Sequence, residues 1–230
     1  MNPNKISFYL RGMLSLTEEN YLKAIFHLSP AGNHVSLNEL SKALGIKMST
    51  VTAMMKKLSQ KGLLEYATYK PVNLTEQGRI EAALVIRRHR LTEMFLVEVM
   101  EFSWDQVHEI AEQMEHIRSS VFFDKMDTIL GHPSTDPHGS PIPDKDGKIK
   151  KRKEKMLSEC KEGDEVKISS VRQGSDEFLR FLSQRKLHLG LALTVKKIEP
   201  FDGSMRISIP GRRQEFLSRD VCEKLMVAFS

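Results

Sequence analysis

Two histidines and three glutamates fall within the eleven residues VHEIAEQMEHI, Val107–Ile117. Imidazole with carboxylate is a donor set that either holds a cation or faces water. At a helical period His108, Glu112, Glu115 and His116 share one narrow sector, while Val107, Ile110, Ala111, Met114 and Ile117 take the opposite one. An acidic outer face of an amphipathic helix satisfies that pattern, and so does a metal site. The stretch RRHRLTEMF bears on the choice, because His89 and Glu93 stand four residues apart on one face of the preceding helix and can hold one ion together. A surface salt bridge accounts for a lone His/Glu pair, whereas two such sets on neighbouring helices joined by the short EFSW turn favour an ion. Imidazole plus carboxylate without thiolate suits manganese or ferrous iron, and zinc, cobalt and nickel are compatible.

Catalytic uses of these residues fit less well. HEIAE lacks the second histidine of the zinc-protease helix, since Glu112 stands in its place. A diiron bundle needs a Glu-x-x-His pair from each of two helices, and neither HRLTE nor EQMEH supplies one. No glycine-rich phosphate loop or GxSxG elbow is present.

The elements that would position such a site include a basic stretch within the N-terminal part of the chain. The chain has 230 residues, 40% hydrophobic and 28% charged, with a net charge of +5, which is ordinary globular composition leaning towards polyanionic partners. From Lys47 to Lys70 five lysines face a single glutamate, Glu65. Helical spacing over residues 17 to 29, behind a Ser15/Glu18 capping box, is followed by a second box at Ser36/Glu39. SLNELSKAL, an interruption at Gly45, and MSTVTAMMKKLSQKG then spell helix, tight turn, helix, with Ser41 at the crossing and Val51 packing back. The second helix presents Lys47, Ser49, Thr50 and Thr52 near its N-terminal end, where side chains reach base edges or phosphates. LLEYATYKPVNLT offers two short strands around Tyr69, Lys70 and Pro71, with Lys70 placed to grip a flanking phosphate. A long helix runs from about Glu76 past Met100. The run Asp144–Lys161, eight basic residues against four acidic, follows a Pro/Gly-rich segment and is expected to be a solvated, flexible linker. Residues 162 to 229 turn to short β-like runs, DEVKISSV, LALTVKKIE and MRISIP.

The two cysteines, Cys160 and Cys222, lie far apart without a CxxC motif, which implies neither a disulfide framework nor a zinc finger and fits reduced cytoplasm. No signal-peptide core and no apolar run of membrane-spanning length is apparent. The expected localisation is cytoplasmic, with no membrane partner.

The order of parts resembles the diphtheria toxin repressor family of metal-dependent transcriptional regulators, of the manganese transport regulator and iron-dependent repressor type. The likeness is carried by HRLTE, VHEIAEQMEH and HGSPIP, in that order behind a winged helix-turn-helix. It implies a mainly α fold with a β-rich C-terminal domain. The spans are a winged helix-turn-helix over 1–75, a helical dimerisation and metal-binding domain over 76–143, a linker over 144–161 and an SH3-like barrel over 162–230. Matched residue by residue, His89, Glu93 and His108 correspond to one metal site of the family and Glu112, Glu115 and His116 to the other. Glu112 stands where iron sensors carry cysteine and manganese sensors glutamate. Asn20 falls where the family has methionine or aspartate, and its amide oxygen is a possible ligand. Lys23 falls where manganese regulators offer a glutamate, and a protonated lysine cannot ligate. In the β domain Glu177 matches a ligand of the first site, whereas Gly174 replaces that ligand's partner.

The resemblance therefore implies a homodimeric repressor of metal-uptake genes with Mn(II) or Fe(II) as corepressor, acting on double-stranded DNA at a palindromic operator. The ion at the second site, joined by Asn20, would tie the N-terminal helix to the sensor helices. Two alternatives compete: a metal-independent winged-helix regulator, and a metal-dependent hydrolase or oxidase built on the His/Glu cluster.

Overall fold

The computed structural model of the chain describes residues 14–29, 34–67, 70–172, 174–212 and 214–229. Tyr69, at the expected hairpin tip, and residues 1–13 lie outside them. The described residues form two compact units. One comprises the chain up to His89 with Gln113–Ser119 and Pro143–Ile149; the other comprises Arg90–Glu112, Ser120–Ile142 and the chain from Lys150.

In the first unit, α1 (Leu16–Leu28) starts on a complete capping box: the Ser15 hydroxyl accepts the Glu18 amide at 3.2 Å, and the Glu18 carboxylate accepts the Ser15 amide at 2.7 Å. Two orphan amide donors of the first turn are satisfied this way. The second capping box, at Ser36 and Glu39, opens α2 (Leu37–Leu44), which ends at Gly45 in the left-handed region, φ 64°. A residue without a Cβ makes that turn without strain, and α3 (Met48–Gln60) follows after two residues. Ser41 ties the turn by donating to the Ile46 carbonyl at 2.6 Å. Tyr21, Leu22, Ile25, Leu40, Val51, Met55 and Leu58 are buried together. At about 1.5–3 kcal/mol for each buried large aliphatic side chain, this packing outweighs the weak helix propensity of Ser49, Thr50 and Thr52.

Strands β1 (Leu64–Glu65) and β2 (Asn73–Leu74) pair antiparallel, and Val35 bridges Val72 beside them. Helix α4 (Glu76–Glu98) starts against this wing, with the Thr75 hydroxyl accepting the Gly78 amide at 3.1 Å. A Cβ at Gly78 would lie 2.0 Å from the Leu63 carbonyl oxygen, so only glycine permits that approach.

In the second unit, α5 (His108–Met114) and α6 (Ser120–Ile129) follow α4 in sequence. Leu91, Phe123, Met126 and Ile142 are buried as one cluster. The β-rich part holds a six-stranded antiparallel sheet of β3 (Lys155–Met156), β4 (Glu165–Val171), β5 (Ala192–Ile198), β6 (Met205–Ser208), β7 (Glu215–Leu217) and β8 (Leu225–Phe229), in the order β3-β8-β4-β5-β6-β7. Helix α7 (Asp176–Gln184) buries Phe178, Leu179 and Leu182 against it, and α8 (Arg219–Lys224) precedes β8. The fold is the expected one, a winged helix-turn-helix and helical domain followed by an SH3-like β domain.

Two local expectations differ from the structure. The helix expected over Val107–Ile117 ends at Met114, so Glu115 and His116 leave the wheel that placed them in one sector with His108 and Glu112. The run expected as a flexible linker, 144–161, contains a turn in which Asp144 accepts the amides of Asp146 and Lys148, then β3, then a 3-10 turn at Leu157–Glu159 with Leu157 and Cys160 buried. Its basic composition predicts solvation, but the burial of Leu157 and Cys160 holds part of it.

Candidate metal centre and nucleic-acid interface

The middle of α4 and the loop after α6 assemble a buried His/Glu/Asp cluster. Glu93 is 2% exposed and is shared: Oε1 lies 3.3 Å from Nδ1 of His108, and Oε2 lies 3.6 Å from Nδ1 of His138. Ligand-capable atoms of Glu93, Asp136 and His138 all lie within 4.8 Å of one another. The loop carrying the last two is rigidly built. Asp136 Oδ1 accepts the amides of His138 at 2.8 Å and Ser140 at 2.9 Å, and the His138 carbonyl accepts the Val171 amide at 2.8 Å. Gly139, at φ 85°, allows the loop to close on β4, because a Cβ there would lie 2.2 Å from the Ser169 carbonyl oxygen.

The ring of His138 is oriented from outside. Its Nε2 donates to the Trp104 carbonyl at 2.8 Å and its plane stacks on the Trp104 indole, which in turn donates to Ser183. In the neutral ring the lone pair then sits on Nδ1, pointing at Glu93, which is how a ligating imidazole is usually held.

Electrostatics mark the same place. Burial, reinforced by the charge of Glu93, pushes the Asp136 carboxyl up, against Arg90 and His138. Burial pushes the His138 imidazole down, but Glu93 and Asp136 outweigh it and its pKa is raised. Arg90 Nε lies 3.3 Å from Asp136 Oδ2. Two buried carboxylates this close repel each other, and a divalent cation relieves both. Two carboxylates and an imidazole, with no thiolate, fit a hard or borderline ion such as manganese or ferrous iron.

The remaining expected ligands are placed as follows. His89 stands one helical turn before Glu93 on α4, with Nδ1 2.6 Å from Glu115 Oε2, so in the neutral ring its lone pair sits on Nε2. Glu112 is 52% exposed and lies 3.6 Å from Nε2 of His108. Glu115 is fully buried, and both its oxygens accept the Lys23 ammonium, at 2.6 and 2.9 Å. Burial pushes the Glu115 carboxyl up, yet His89 and Lys23 outweigh it and hold the pKa below the ordinary carboxylate value. His116 Nδ1 is 2.5 Å from Glu19 Oε2, and Glu19 Oε1 accepts Arg88 at 2.9 Å. Asn20 is exposed on α1. Glu177 is 79% exposed, 3.6 Å from Arg180. Asp136, His138 and Glu19 were missed as contributors; the HGSPIP motif was the signal for His138, while nothing local marks Glu19.

The helix-turn-helix leaves Lys47, Ser49, Thr50 and Lys70 exposed and Thr52 half-exposed with its hydroxyl donating to the Met48 carbonyl. Lys47, at the N-cap of α3, makes no side-chain cap bond.

A helix-turn-helix with a two-stranded wing, a helical segment carrying a buried His/carboxylate cluster and a small β domain are the parts of which iron-dependent-repressor-type proteins are built. Residues 13–72 match the model of the iron dependent repressor N-terminal DNA binding domain, 75–144 that of the iron dependent repressor metal binding and dimerisation domain, and 155–228 that of the FeoA domain. The chain is 33% identical over 114 residues to an uncharacterized HTH-type transcriptional regulator of Methanocaldococcus jannaschii, covering 49% of this chain and 91% of that protein. The iron-dependent repressor IdeR of Mycobacterium tuberculosis is 35% identical over 127 residues, 55% of each protein, so the match spans about half the length of that relative. Among solved structures, a manganese-dependent transcriptional repressor in complex with manganese superposes with a TM-score of 0.86 at 30% identity, covering 93% of this chain and 100% of that one. The manganese regulator SloR gives 0.76 at 28%, covering 93% and 98%. The chain belongs to the diphtheria toxin repressor family.

Proposed function

We propose that this protein is a metal-activated DNA-binding transcriptional repressor of metal-uptake genes, with Mn(II) or Fe(II) as corepressor, acting as a homodimer on a palindromic operator. The observation that carries the reading is Glu93: a carboxylate buried between the imidazoles of His108 and His138 and beside Asp136, in a chain that also presents Lys47, Ser49, Thr50 and Lys70 on a winged helix.

Glu93, Asp136 and His138 would hold the ion, with His108 within reach of the same carboxylate and His89 one turn earlier on α4. The ion supplies positive charge that lets both carboxylates stay ionised while buried. The chain's own residues do the rest. Trp104 and Val171 fix His138, and Arg90 fixes Asp136. Glu93 draws His108, the first residue of α5, towards α4. Helix α5 runs directly into Glu115 and His116, which grip α1 of the reading head through Lys23 and Glu19. Through this grip on α1 the chain would couple ion binding to the DNA-competent arrangement, and a coupling of roughly 1 to 3 kcal/mol is typical of such linkage. Relatives named as manganese- and iron-dependent repressors support both metals as candidates, and the thiolate-free donor set favours manganese as the first to test.

A manganese titration with DNA binding as readout tests this. Metal-stimulated binding is the expected outcome. Binding indifferent to metal would make the chain a metal-independent winged-helix regulator, and substrate turnover without DNA binding would make it a hydrolase or oxidase.

A further inference from the structure

The Glu115 pocket does not fit a second divalent ion. Its fully buried carboxylate already has both oxygens on one ammonium, Lys23 Nζ at 2.6 and 2.9 Å, and a second donor, His89 Nδ1, at 2.6 Å. Arg88 closes the backbone side by donating from Nε to the Glu115 carbonyl at 2.5 Å and from its other end to Glu19. His116, the other expected ligand here, is turned to Glu19 at 2.5 Å, with its remaining nitrogen 3.7 Å from Glu115. Lys23 and Arg88 thus answer the charges of Glu115 and Glu19 one for one. The Lys23 side chain is only 15% exposed, so solvent does little to screen its charge from a dication brought alongside.

From this geometry we propose that Lys23 is a resident cation: its ammonium takes the seat of one divalent ion, so each protomer loads a single ion, at the Glu93 cluster, and the link from α1 to Glu115 exists without metal. An ammonium is a compact point charge with three donors, enough to satisfy two carboxylate oxygens as an ion would. The link joins residues 92 positions apart in the chain, so it serves as a tertiary tether that needs no corepressor. The assignment of the first ion rests on the function proposed above; the assignment of Lys23 does not, because it is read from a difference in stoichiometry.

The test is manganese stoichiometry on the full-length protein, by calorimetric titration and by elemental analysis after gel filtration. Wild type is expected to take one ion per protomer. Lys23→Glu and Lys23→Met are expected to gain one ion relative to wild type, and Lys23→Arg to gain none. Glu115→Gln is expected to leave the wild-type stoichiometry of one ion unchanged, which keeps the proposal open to refutation should the Lys23 variants fail to fold. Two ions in wild type with one lost in Glu115→Gln, or no gain in folded Lys23→Met and Lys23→Glu, would overturn it. No ion in wild type together with one in Lys23→Glu would support the Lys23 seat while sinking the Glu93 site.

Discussion

At the scale of single residues, Glu93 is the side chain on which the metal reading turns. Removing its charge while keeping its shape, Glu93→Gln, leaves His108 and His138 facing an amide that binds an ion poorly. Manganese affinity measured by calorimetry is expected to fall by at least about 10- to 100-fold, the loss typical of disturbing even an outer partner of a metal site. The ion also competes with protons for imidazole. With the His138 pKa held, against burial, above the ordinary histidine value of about 6.5 by Glu93 and Asp136, operator binding at limiting manganese should weaken as pH drops from neutral towards about 5.5, and excess manganese should restore it, which separates proton competition from acid unfolding. On the reading head, Thr50→Ala should weaken binding to the cognate operator by about 1 to 3 kcal/mol if the hydroxyl meets a base edge. Lys47→Ala should instead lower affinity on every sequence and flatten the salt dependence, as loss of a phosphate contact does. Gel-shift titrations across salt concentrations distinguish the two, and unchanged affinity in both variants would place the recognition surface elsewhere.

At the scale of elements, the winged helix depends on two glycines for different reasons. Gly45 has open space around a would-be Cβ but a φ of 64°, so Gly45→Ala bears only the left-handed backbone penalty of about 1 to 2 kcal/mol. At Gly78 a Cβ would collide with the Leu63 carbonyl, so Gly78→Ala must push α4 off the wing and is expected to be the more damaging of the two in urea unfolding. The tie between α1 and α3 is the Glu18 carboxylate, which is buried and paired with Lys61 at 2.7 Å and Lys57 at 3.3 Å. Burial raises the pKa of Glu18, but the hydrogen bond from Lys61, the Ser15 amide and Lys57 outweigh it and the net shift is downward. A carboxylate with a depressed folded pKa contributes stability that is present above its unfolded value, about 4.3, and is lost as pH falls through the folded value. Glu18→Gln should therefore be less stable than wild type at pH 7, and the two unfolding curves should converge below pH about 4. A constant gap between the variants down to pH 3 would contradict this.

At the scale of the whole molecule, α6 exposes Val121, Phe122 and Ile129, with Val121 at 69% and Ile129 at 63%. This helix lies inside the span matching the family's dimerisation domain. Apolar side chains this open on one short helix mark an association surface. If the chain acts as the proposed homodimer on a palindromic operator, Val121→Glu combined with Ile129→Glu should shift it from dimer to monomer in sedimentation velocity and reduce operator affinity, because two half-sites are then no longer read together. A double variant that remains a dimer would move the interface to another face. Among the described residues no helix is long and apolar enough to cross a membrane.

Local order was legible in the residues themselves. The Ser15/Glu18 and Ser36/Glu39 boxes, Gly45 between two amphipathic stretches, and the alternation in β4, β5 and β6 are rules satisfied within a few residues, so the winged helix and the β-rich end follow from the chain read in order. His89, Glu93 and His108 could likewise be picked out by spacing and by family likeness. What tertiary structure decided was which charge meets which. A helical wheel grouped Glu112, Glu115 and His116, but α5 stops at Met114, and Glu115 is buried against Lys23 and His89 while Glu112 faces solvent beside His108. Asp136 and His138 join Glu93 from more than forty positions away, through a loop that only Gly139 lets close on β4. Charged side chains seek partners by distance and desolvation rather than by sequence separation. A periodic pattern therefore says which face is polar, and only the packed chain says whether a lysine or a metal ion neutralises it.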